Sequence, residues 1–366
     1  MHIAPAPVAS ASASATAVSA PLPAPGITFS FVGAFTPGVL THAFRLGSSV
    51  AVAQSSEHGW SVTAVGAGKS RVAMTAKVGA KSRSPHVQVL FVGGSAPDDA
   101  WISILDEEGF PKLELDTWRI TSAAATRAPK RYLAIGALRV DQWVALSTHQ
   151  GPMYLYDQWP SKLELLRGHG DLPTVPPEVH LLDVAFLGDG RVCGLGMVEQ
   201  PDAGTVSVAL WTAGPGDAPR TVSLGPVDDP SSMRVVRGPA GECVVVTPTK
   251  GGASIGRLRG GALVSAKLDR RALLATSTPS GALWFYDDAK KAVGRADLAK
   301  DPIEVTSFAL PGGMADCAEI TEVTSVVALT DEDVWLTGLC WAGGQMRGDA
   351  LLHTEPRGNV DVWPSP

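Results

Sequence analysis

Asp99-Ala100-Trp101-Ile102-Ser103-Ile104 is the first of three segments that place an acidic residue, one further residue, a tryptophan and an apolar run in the same order. The other two are Asp141-Gln142-Trp143-Val144-Ala145-Leu146 and Asp333-Val334-Trp335-Leu336-Thr337-Gly338. Weaker copies begin with glycine at Gly190, Gly241 and Gly281, and a seventh begins at Ser48. A pattern that recurs along a whole chain indicates a repeat architecture.

The spacing of these copies is nearly regular. Steps of 51, 42, 49, 51, 41 and 51 residues separate the equivalent positions Val50, Trp101, Trp143, Val192, Cys243, Trp284 and Trp335. A glycine follows four of these positions at a constant distance of eight residues, at Gly109, Gly151, Gly251 and Gly343. Eight residues accommodate one strand and a tight turn, where glycine readily adopts a positive φ.

Each unit divides into four short strands separated by turn residues. The unit around Trp143 gives Tyr132–Ala137, Trp143–Thr148, Met153–Tyr156 and Leu163–Leu166. The last unit gives Thr324–Leu329, Val334–Leu339, Ala350–His353 and Val360–Trp363. Four strands in a repeat of about 40–50 residues are typical of a β-propeller blade.

We therefore predict an all-β chain with a single β-propeller over residues 27–366, built from seven four-stranded blades. Over this range the sequence resembles bacterial β-propeller repeat proteins, without the paired motifs of WD40 or kelch repeats. Six or eight blades stay open as alternatives, because Asp287–Lys300 in the sixth unit is compatible with a short helix. The outer strand of the last blade is either Ile27–Val32 or Val360–Trp363.

The repeated tryptophans have a structural interpretation. Each begins the second strand of its unit, where a large aromatic side chain is expected to pack between neighbouring blades. We accordingly predict structural roles for Trp101, Trp143 and Trp335.

Composition and charge exclude several classes of function. Of the 366 residues, 45% are hydrophobic and 18% are charged, so the chain can bury a sizeable core. The net charge of −6 disfavours a nucleic-acid partner, because such proteins neutralise phosphates with clustered Lys and Arg. No apolar run approaches the ~20 residues of a membrane-spanning helix.

The first 26 residues differ from the rest of the chain. Met1–Gly26 has no aromatic and no acidic residue and is rich in Ala, Ser and Pro, so we expect a flexible linker. It is similar to the spacers that follow the lipidated cysteine of bacterial surface lipoproteins. This resemblance implies an exported protein (periplasmic, cell-surface or secreted) and leaves open a lipid anchor in the full-length protein. The alternative is a cytoplasmic protein with a biased amino-terminal extension.

Four cysteines allow three complete pairings, and none of them belongs to a Cys-x-x-Cys motif. Cys317 precedes the first strand of the final unit and Cys340 ends its second strand, so a hairpin turning at Thr330–Asp333 would bring the two together. We predict a Cys317–Cys340 disulfide, and we interpret Cys193 and Cys243 as small buried apolar residues.

Candidate binding residues lie in two glycine-containing loops. Trp341, Arg347 and Asp349 place an aromatic ring, a cation and an acid on one loop, where Trp and Arg serve as contact anchors in many interfaces. His169 and Asp171 lie in the second loop, within Arg167-Gly168-His169-Gly170-Asp171. The alternative is that neither loop binds a ligand: Trp341 packs on its own blade, and His169 lies in a solvated turn.

The sequence predicts no catalytic residues, cofactor or metal, because no phosphate loop, nucleophile motif or local pair of metal ligands occurs. We expect a non-enzymatic, monomeric propeller that binds a protein or a polysaccharide or other extracellular polymer through its loops. The alternative is a hydrolase or lyase whose residues converge in the central channel from different blades.

Overall fold

The computed structural model describes residues 27–31, 40–56, 59–66, 71–72, 87–96, 99–106, 112–121, 124–148, 153–154, 162–200, 205–311 and 317–355. These residues form seven antiparallel sheets arranged as a seven-bladed β-propeller. The predictions of an all-β fold and of seven blades are confirmed. Two short 3-10 turns, Pro230–Ser232 and Pro239–Gly241, complete the regular structure of the described residues. None of the described residues forms a helix long and apolar enough to cross a membrane.

The first three blades follow one another along the chain. Blade 1 contains β2 (Leu40–Leu46), β3 (Ser49–Ser56), β4 (Gly59–Gly66) and β5 (Arg71–Val72). Blade 2 contains β6 (Val87–Ala96), β7 (Asp99–Asp106), β8 (Lys112–Thr121), β9 (Ala125–Arg127) and β12 (Met153–Tyr154). Blade 3 contains β10 (Arg131–Arg139), β11 (Gln142–Thr148) and β13 (Lys162–Arg167).

The remaining four blades each have four strands. Blade 4 contains β14 (His180–Phe186), β15 (Val192–Gln200), β16 (Thr205–Ala213) and β17 (Arg220–Gly225). Blade 5 contains β18 (Arg234–Arg237), β19 (Cys243–Thr249), β20 (Gly252–Arg259) and β21 (Ala262–Leu268). Blade 6 contains β22 (Leu273–Ser277), β23 (Ala282–Asp287), β24 (Ala292–Asp297) and β25 (Glu304–Ala309). Blade 7 contains β26 (Glu319–Ala328), β27 (Val334–Ala342), β28 (Gln345–Glu355) and β1 (Thr28–Phe31).

The first strand of every blade lies at the centre of the ring. Each of these strands contacts the first strand of the next blade, in the order β2, β6, β10, β14, β18, β22 and β26, and β26 contacts β2. We name the strands of a blade A to D from the centre outward. The turns between strands A and B lie at one end of the ring, the A–B face, and the turns between B and C lie at the other end, the B–C face.

The ring closes through the two ends of the propeller. β1 pairs antiparallel with β28, from Thr28 opposite Glu355 to Phe31 opposite Leu352. The amino-terminal strand is thus strand D of blade 7, as one of the two alternatives predicts. The other candidate, Val360–Trp363, lies outside the described residues, as do Met1–Gly26 and the repeat glycines Gly109 and Gly151.

One alternative and one interpretation drawn from the sequence are wrong. The Asp287–Lys300 segment is not a short helix: it contains the turn after β23, where the backbone N–H of Lys290 donates to the carbonyl of Asp287, and the whole of strand β24. Met153–Tyr154 does not form the third strand of blade 3, because it pairs with Leu113 and Lys112 of blade 2. Strand β11 pairs directly with β13 instead, so blade 3 has three strands among the described residues.

Apolar side chains bury most of the faces between blades. Six buried clusters fill the interfaces between blades 1 and 2, 3 and 4, 4 and 5, 5 and 6, 6 and 7, and 7 and 1. Trp284 and Trp211 are fully buried in two of them. Apolar burial contributes ~25 cal/mol per Å² of surface removed from water, so these interfaces are the main source of stability in the ring.

All four cysteines form disulfides. Cys317 and Cys340 are bonded within blade 7, with their Cα atoms 5.3 Å apart. Cys193 and Cys243 are also bonded, with a Cα–Cα separation of 5.8 Å, which corrects the interpretation of them as unpaired apolar residues. They begin strands B of blades 4 and 5, and these adjacent positions face each other across the interface.

We expect removal of residues 1–31 to destabilise the ring, whereas removal of residues 1–26 leaves it unchanged. The longer deletion exposes the edge of β28 and removes Phe29, which is 5% exposed and packs 6.5 Å from the ring of Phe308. The loss is at least ~3 kcal/mol, the usual cost of truncating a buried Phe. Guanidinium unfolding of the two truncated proteins measures it. Equal stability would show that β1 does not close the ring.

We expect the double variant Cys193→Ala/Cys243→Ala to unfold more readily by roughly 2–4 kcal/mol, because the disulfide joins two blades through a loop of about 50 residues. Chemical denaturation measures this change, and reductant should destabilise the wild-type protein more than the variant. Non-reducing peptide mapping that finds free thiols at both positions would contradict the pairing.

Candidate functional site

A cleft of about 570 Å³ opens on the A–B face between blades 2 and 3. Its walls carry two tryptophans, two arginines and one acid, namely Trp101, Trp143, Arg119, Arg167 and Asp99. The A–B end of β6 and the adjoining Leu166 complete the lining. The cleft therefore combines aromatic surface with guanidinium groups, the residue types that most often anchor protein interfaces.

The cleft lies at the interface that no buried apolar cluster of the described residues fills. Hydroxyl groups connect these blades instead: the Ser103 Oγ donates to the carbonyl of Tyr132 at 2.7 Å, and the backbone N–H of Tyr132 donates to the Thr117 Oγ1 at 2.9 Å. Ser103 and Thr117 are themselves 2.8 Å apart. These bonds fix the blades together deep in the interface while the A–B end stays open.

Asp99 organises the charges in the cleft. Its carboxylate accepts a hydrogen bond from the Ser95 Oγ at 2.9 Å and lies 3.4 Å from Arg119 and 3.5 Å from Arg167. The Arg119 guanidinium also lies 5.3 Å from the centre of the Trp101 ring, within cation–π range. Both arginines remain at least half exposed, so their outer N–H groups are available to a ligand.

Trp101 and Trp143 occupy the same position in consecutive blades, and each lies opposite an arginine on the next strand. Trp101 pairs with Arg119, and Trp143 pairs with Arg167. The two other tryptophan-marked blades also place a basic residue there, Arg295 opposite Trp284 and His353 opposite Trp335. Arg119 and Arg167 are not among the binding residues predicted from the sequence, and this recurring Trp–basic pair is the signal that identifies them.

Of the three repeated tryptophans, which are predicted to pack between blades, only Trp335 is buried there. Trp335 is 3% exposed, and its indole N–H donates to Asp333, which also bonds His353 at 3.0 Å. Trp101 and Trp143 are only half-buried and face the cleft. Trp101 meets the ring of Tyr132 of blade 3 edge-on at 5.5 Å and so contacts the neighbouring blade, although no buried apolar cluster of the described residues covers the two indoles.

The predicted loop of blade 7 lies on the opposite, B–C face. Trp341 and Arg347 are exposed on the β27–β28 hairpin, where Gly343 has a φ of +61° and Trp341 pairs with the half-exposed Met346. The structure separates Asp349 from them. Its side chain is buried between blades 7 and 1, where it accepts a hydrogen bond from the backbone N–H of Thr41.

His169 and Asp171 are exposed on the A–B face, in the loop that follows β13. The Gln142 side chain donates to the carbonyl of His169 at 3.3 Å and holds this loop against blade 3. The loop begins directly after Arg167, which lines the cleft, but His169 and Asp171 are not part of the cleft lining. The two predicted sites thus occupy opposite faces and do not form a single surface.

The chemistry needed for a channel enzyme is sparse among the described residues. They contain no group of three His, Cys, Asp or Glu side chains close enough to hold a metal ion. Asp183 on β14 is half-buried, its loss of hydration raises its pKa, and its two oxygens accept N–H groups of Val184 and Val235 at 2.9 and 2.8 Å. Burial lowers the pKa of His42 on β2.

A second pocket of about 370 Å³ joins blades 5 to 7 near the B–C face.

Comparison with solved structures supports the fold. Virginiamycin B lyase from Staphylococcus aureus is 11% identical with a TM-score of 0.51, and the match covers 90% of this chain and 98% of that one. The WD40 domain of coronin from Toxoplasma gondii is 12% identical with a TM-score of 0.53, and the match covers 95% of this chain and 91% of that one. No family model and no curated protein matches the chain. A lyase and a WD40 domain share this architecture, so the fold alone does not select a function.

Asp349 gives a testable pH dependence. Burial raises the pKa of its carboxyl to about 6, against the opposing hydrogen bond from Thr41. A folded-state pKa above the unfolded value favours the native state at low pH, and this contribution is lost as the pH rises through 6. We expect Asp349→Asn, which keeps an acceptor for Thr41, to be more stable than wild type at pH 8 by roughly 2–3 kcal/mol and equally stable near pH 4. Thermal unfolding across this range measures the difference, and parallel curves would contradict it.

Proposed function

We propose that this protein is an exported, non-enzymatic bacterial propeller that binds a protein or an extracellular polymer, and that the cleft between blades 2 and 3 is its main contact site. One observation carries the proposal: Trp101 and Trp143 remain half-buried at the interface where the described residues provide no apolar cluster. Leaving two indoles partly in water forgoes burial energy, and such exceptions to core packing occur at functional sites.

The composition of the cleft favours binding over catalysis. Trp and Arg supply large contact area and directional hydrogen bonds, whereas the single acid, Asp99, is engaged by both arginines. A general acid or base must be able to exchange a proton with the substrate, and a carboxylate held by two guanidinium groups is poorly placed to accept one. Two rigid Trp–Arg pairs on neighbouring blades suit an extended ligand that crosses the interface.

Export is supported by the disulfides. The described structure leaves no cysteine free, and structural disulfides persist mainly in oxidising compartments. The lipoprotein-like composition of the first 26 residues points the same way. Fractionation of the source cells with an antibody against the propeller tests this part of the proposal, and recovery in the cytoplasm with four reduced thiols would refute it.

The binding proposal is tested with Trp101→Ala/Trp143→Ala. The labelled wild-type protein is first screened on arrays of extracellular polysaccharides and surface proteins, and the strongest binder is then titrated. We expect the double variant to weaken this interaction at least tenfold, because anchor aromatics contribute ~2 kcal/mol or more each.

Trp341→Ala is the matched control, since it removes an exposed indole from the opposite face. It should leave the affinity unchanged, and circular dichroism should show that all variants fold. Loss of binding in Trp341→Ala with retention in the cleft variant would move the contact site to the blade 7 loop. Absence of binding across the arrays would count against the binding function.

A further inference from the structure

Three arginines mark the end of the central channel on the A–B face. Arg45, Arg139 and Arg237 are the last or next-to-last residues of strands A in blades 1, 3 and 5. Because the A strands surround the channel, their ends form its mouth. All three side chains are exposed, and they come from three blades distributed around the ring.

Glycines in the A–B turn of blade 4 make room for two of these arginines. A Cβ atom on Gly188 would lie 2.5 Å from the Nη1 of Arg237, and one on Gly190 would lie 2.8 Å from the Nε of Arg139. Both glycines have a positive φ, +82° and +95°. Arg139 and Arg237 thus approach the same turn from its two sides, over backbone that carries no side chain.

No acid neutralises the three arginines within the described structure. Asp189, between the two glycines, is engaged by Arg191 through Nε at 2.8 Å and Nη2 at 2.6 Å. The neighbouring acids Asp99, Glu242 and Asp331 have their own arginine partners, Arg119 and Arg167, Arg259 and Arg295 respectively.

Asp141 and Arg45 are the remaining charged residues near the mouth whose contacts need to be described. Asp141, two residues after Arg139, is exposed and forms no ion pair in this part of the structure. The bond of Arg45 is to the backbone, from its Nε to the carbonyl of Gly47 at 3.4 Å.

The like charges influence one another across the channel. Partial loss of hydration lowers the pKa of Arg45, although the residue as a whole is exposed, and the positive charge of Arg237, three blades away around the ring, lowers it further. Two guanidinium groups that face each other without a counter-charge repel, and an anion between them would reverse the sign of the interaction. Guanidinium groups also present paired N–H donors that match phosphate, sulfate and carboxylate oxygens.

We propose that Arg45, Arg139 and Arg237 form an anion-binding site at the A–B mouth of the channel, suited to a compact group with two or more negative charges. A phosphate, sulfate or polycarboxylate group fits this chemistry, either as a free small anion or as a substituent of a polymer. This site lies beyond the aromatic cleft and does not depend on its role in binding.

The test measures binding of inorganic pyrophosphate and of dextran sulfate by calorimetry, with the whole protein in low-salt buffer. We expect wild type to bind at least one probe, and Arg45→Gln/Arg139→Gln/Arg237→Gln to bind it at least ~10-fold more weakly, since charge-assisted hydrogen bonds are lost. Binding of pyrophosphate identifies a site for free small anions. Binding of dextran sulfate alone identifies a site for polymer-borne anions.

The matched control is Arg220→Gln/Lys250→Gln/Lys267→Gln, which removes the same charge from exposed positions away from the mouth. It should retain wild-type affinity. If the mouth variant fails to fold, single Arg45→Gln and Arg237→Gln variants, each expected to lose about threefold or more, replace it. Failure of wild type to bind either probe, or equal losses in the mouth and control variants, would overturn the proposal.

Discussion

The constraint that governs this structure is that every blade has two apolar faces, and a sheet with two apolar faces is stable only between two neighbours. A row of such sheets must close on itself or leave a face in water at each end. Here apolar contacts between blades 7 and 1 close the ring, and four residue pairs between β1 and β28 secure it by joining parts of the chain more than 300 residues apart. Six apolar interfaces can then form around one ring, and the central strands meet at a common channel.

The interface between blades 2 and 3 is the exception to this apolar packing among the described residues. Between blades 2 and 3 the hydroxyls of Ser103 and Thr117 replace apolar packing, and Trp101 and Trp143 stay half-buried. The same face carries the three arginines at the channel mouth, none of which has an ion-pair partner among the described residues. Partly exposed indoles and unpaired guanidinium groups therefore occur on the same face, which is where we place both proposed binding sites.

Much of the architecture could be predicted because it repeats. The steps between Val50 and Trp335 specified seven units, and alternation along Ile27–Val32 identified the closing strand as one of two candidates. The strand exchange of Met153–Tyr154 could not be predicted, since a two-residue strand has no pattern that distinguishes its own blade from the next. The repeat gives the position of each residue within its own blade but not the distances between blades. It therefore could not predict the Cys193–Cys243 bond or the approach of Arg45 and Arg237. The Trp–Arg pairs were visible in the sequence, but only to a comparison of strands B and C across blades.

The position of β1 has a mechanical consequence. The amino-terminal segment leads directly into the strand that closes the ring, so any tension applied through that segment acts first on the four pairs between β1 and β28. A pull strong enough to peel β1 away would leave blades 7 and 1 joined by their buried apolar contacts and by the hydrogen bond from Thr41 to Asp349. The Cys317–Cys340 bond fastens strand B of blade 7 to the start of its strand A, two strands inward from β1. The force needed to unfold this propeller should therefore depend on the direction of pulling, with the amino terminus as its weakest handle.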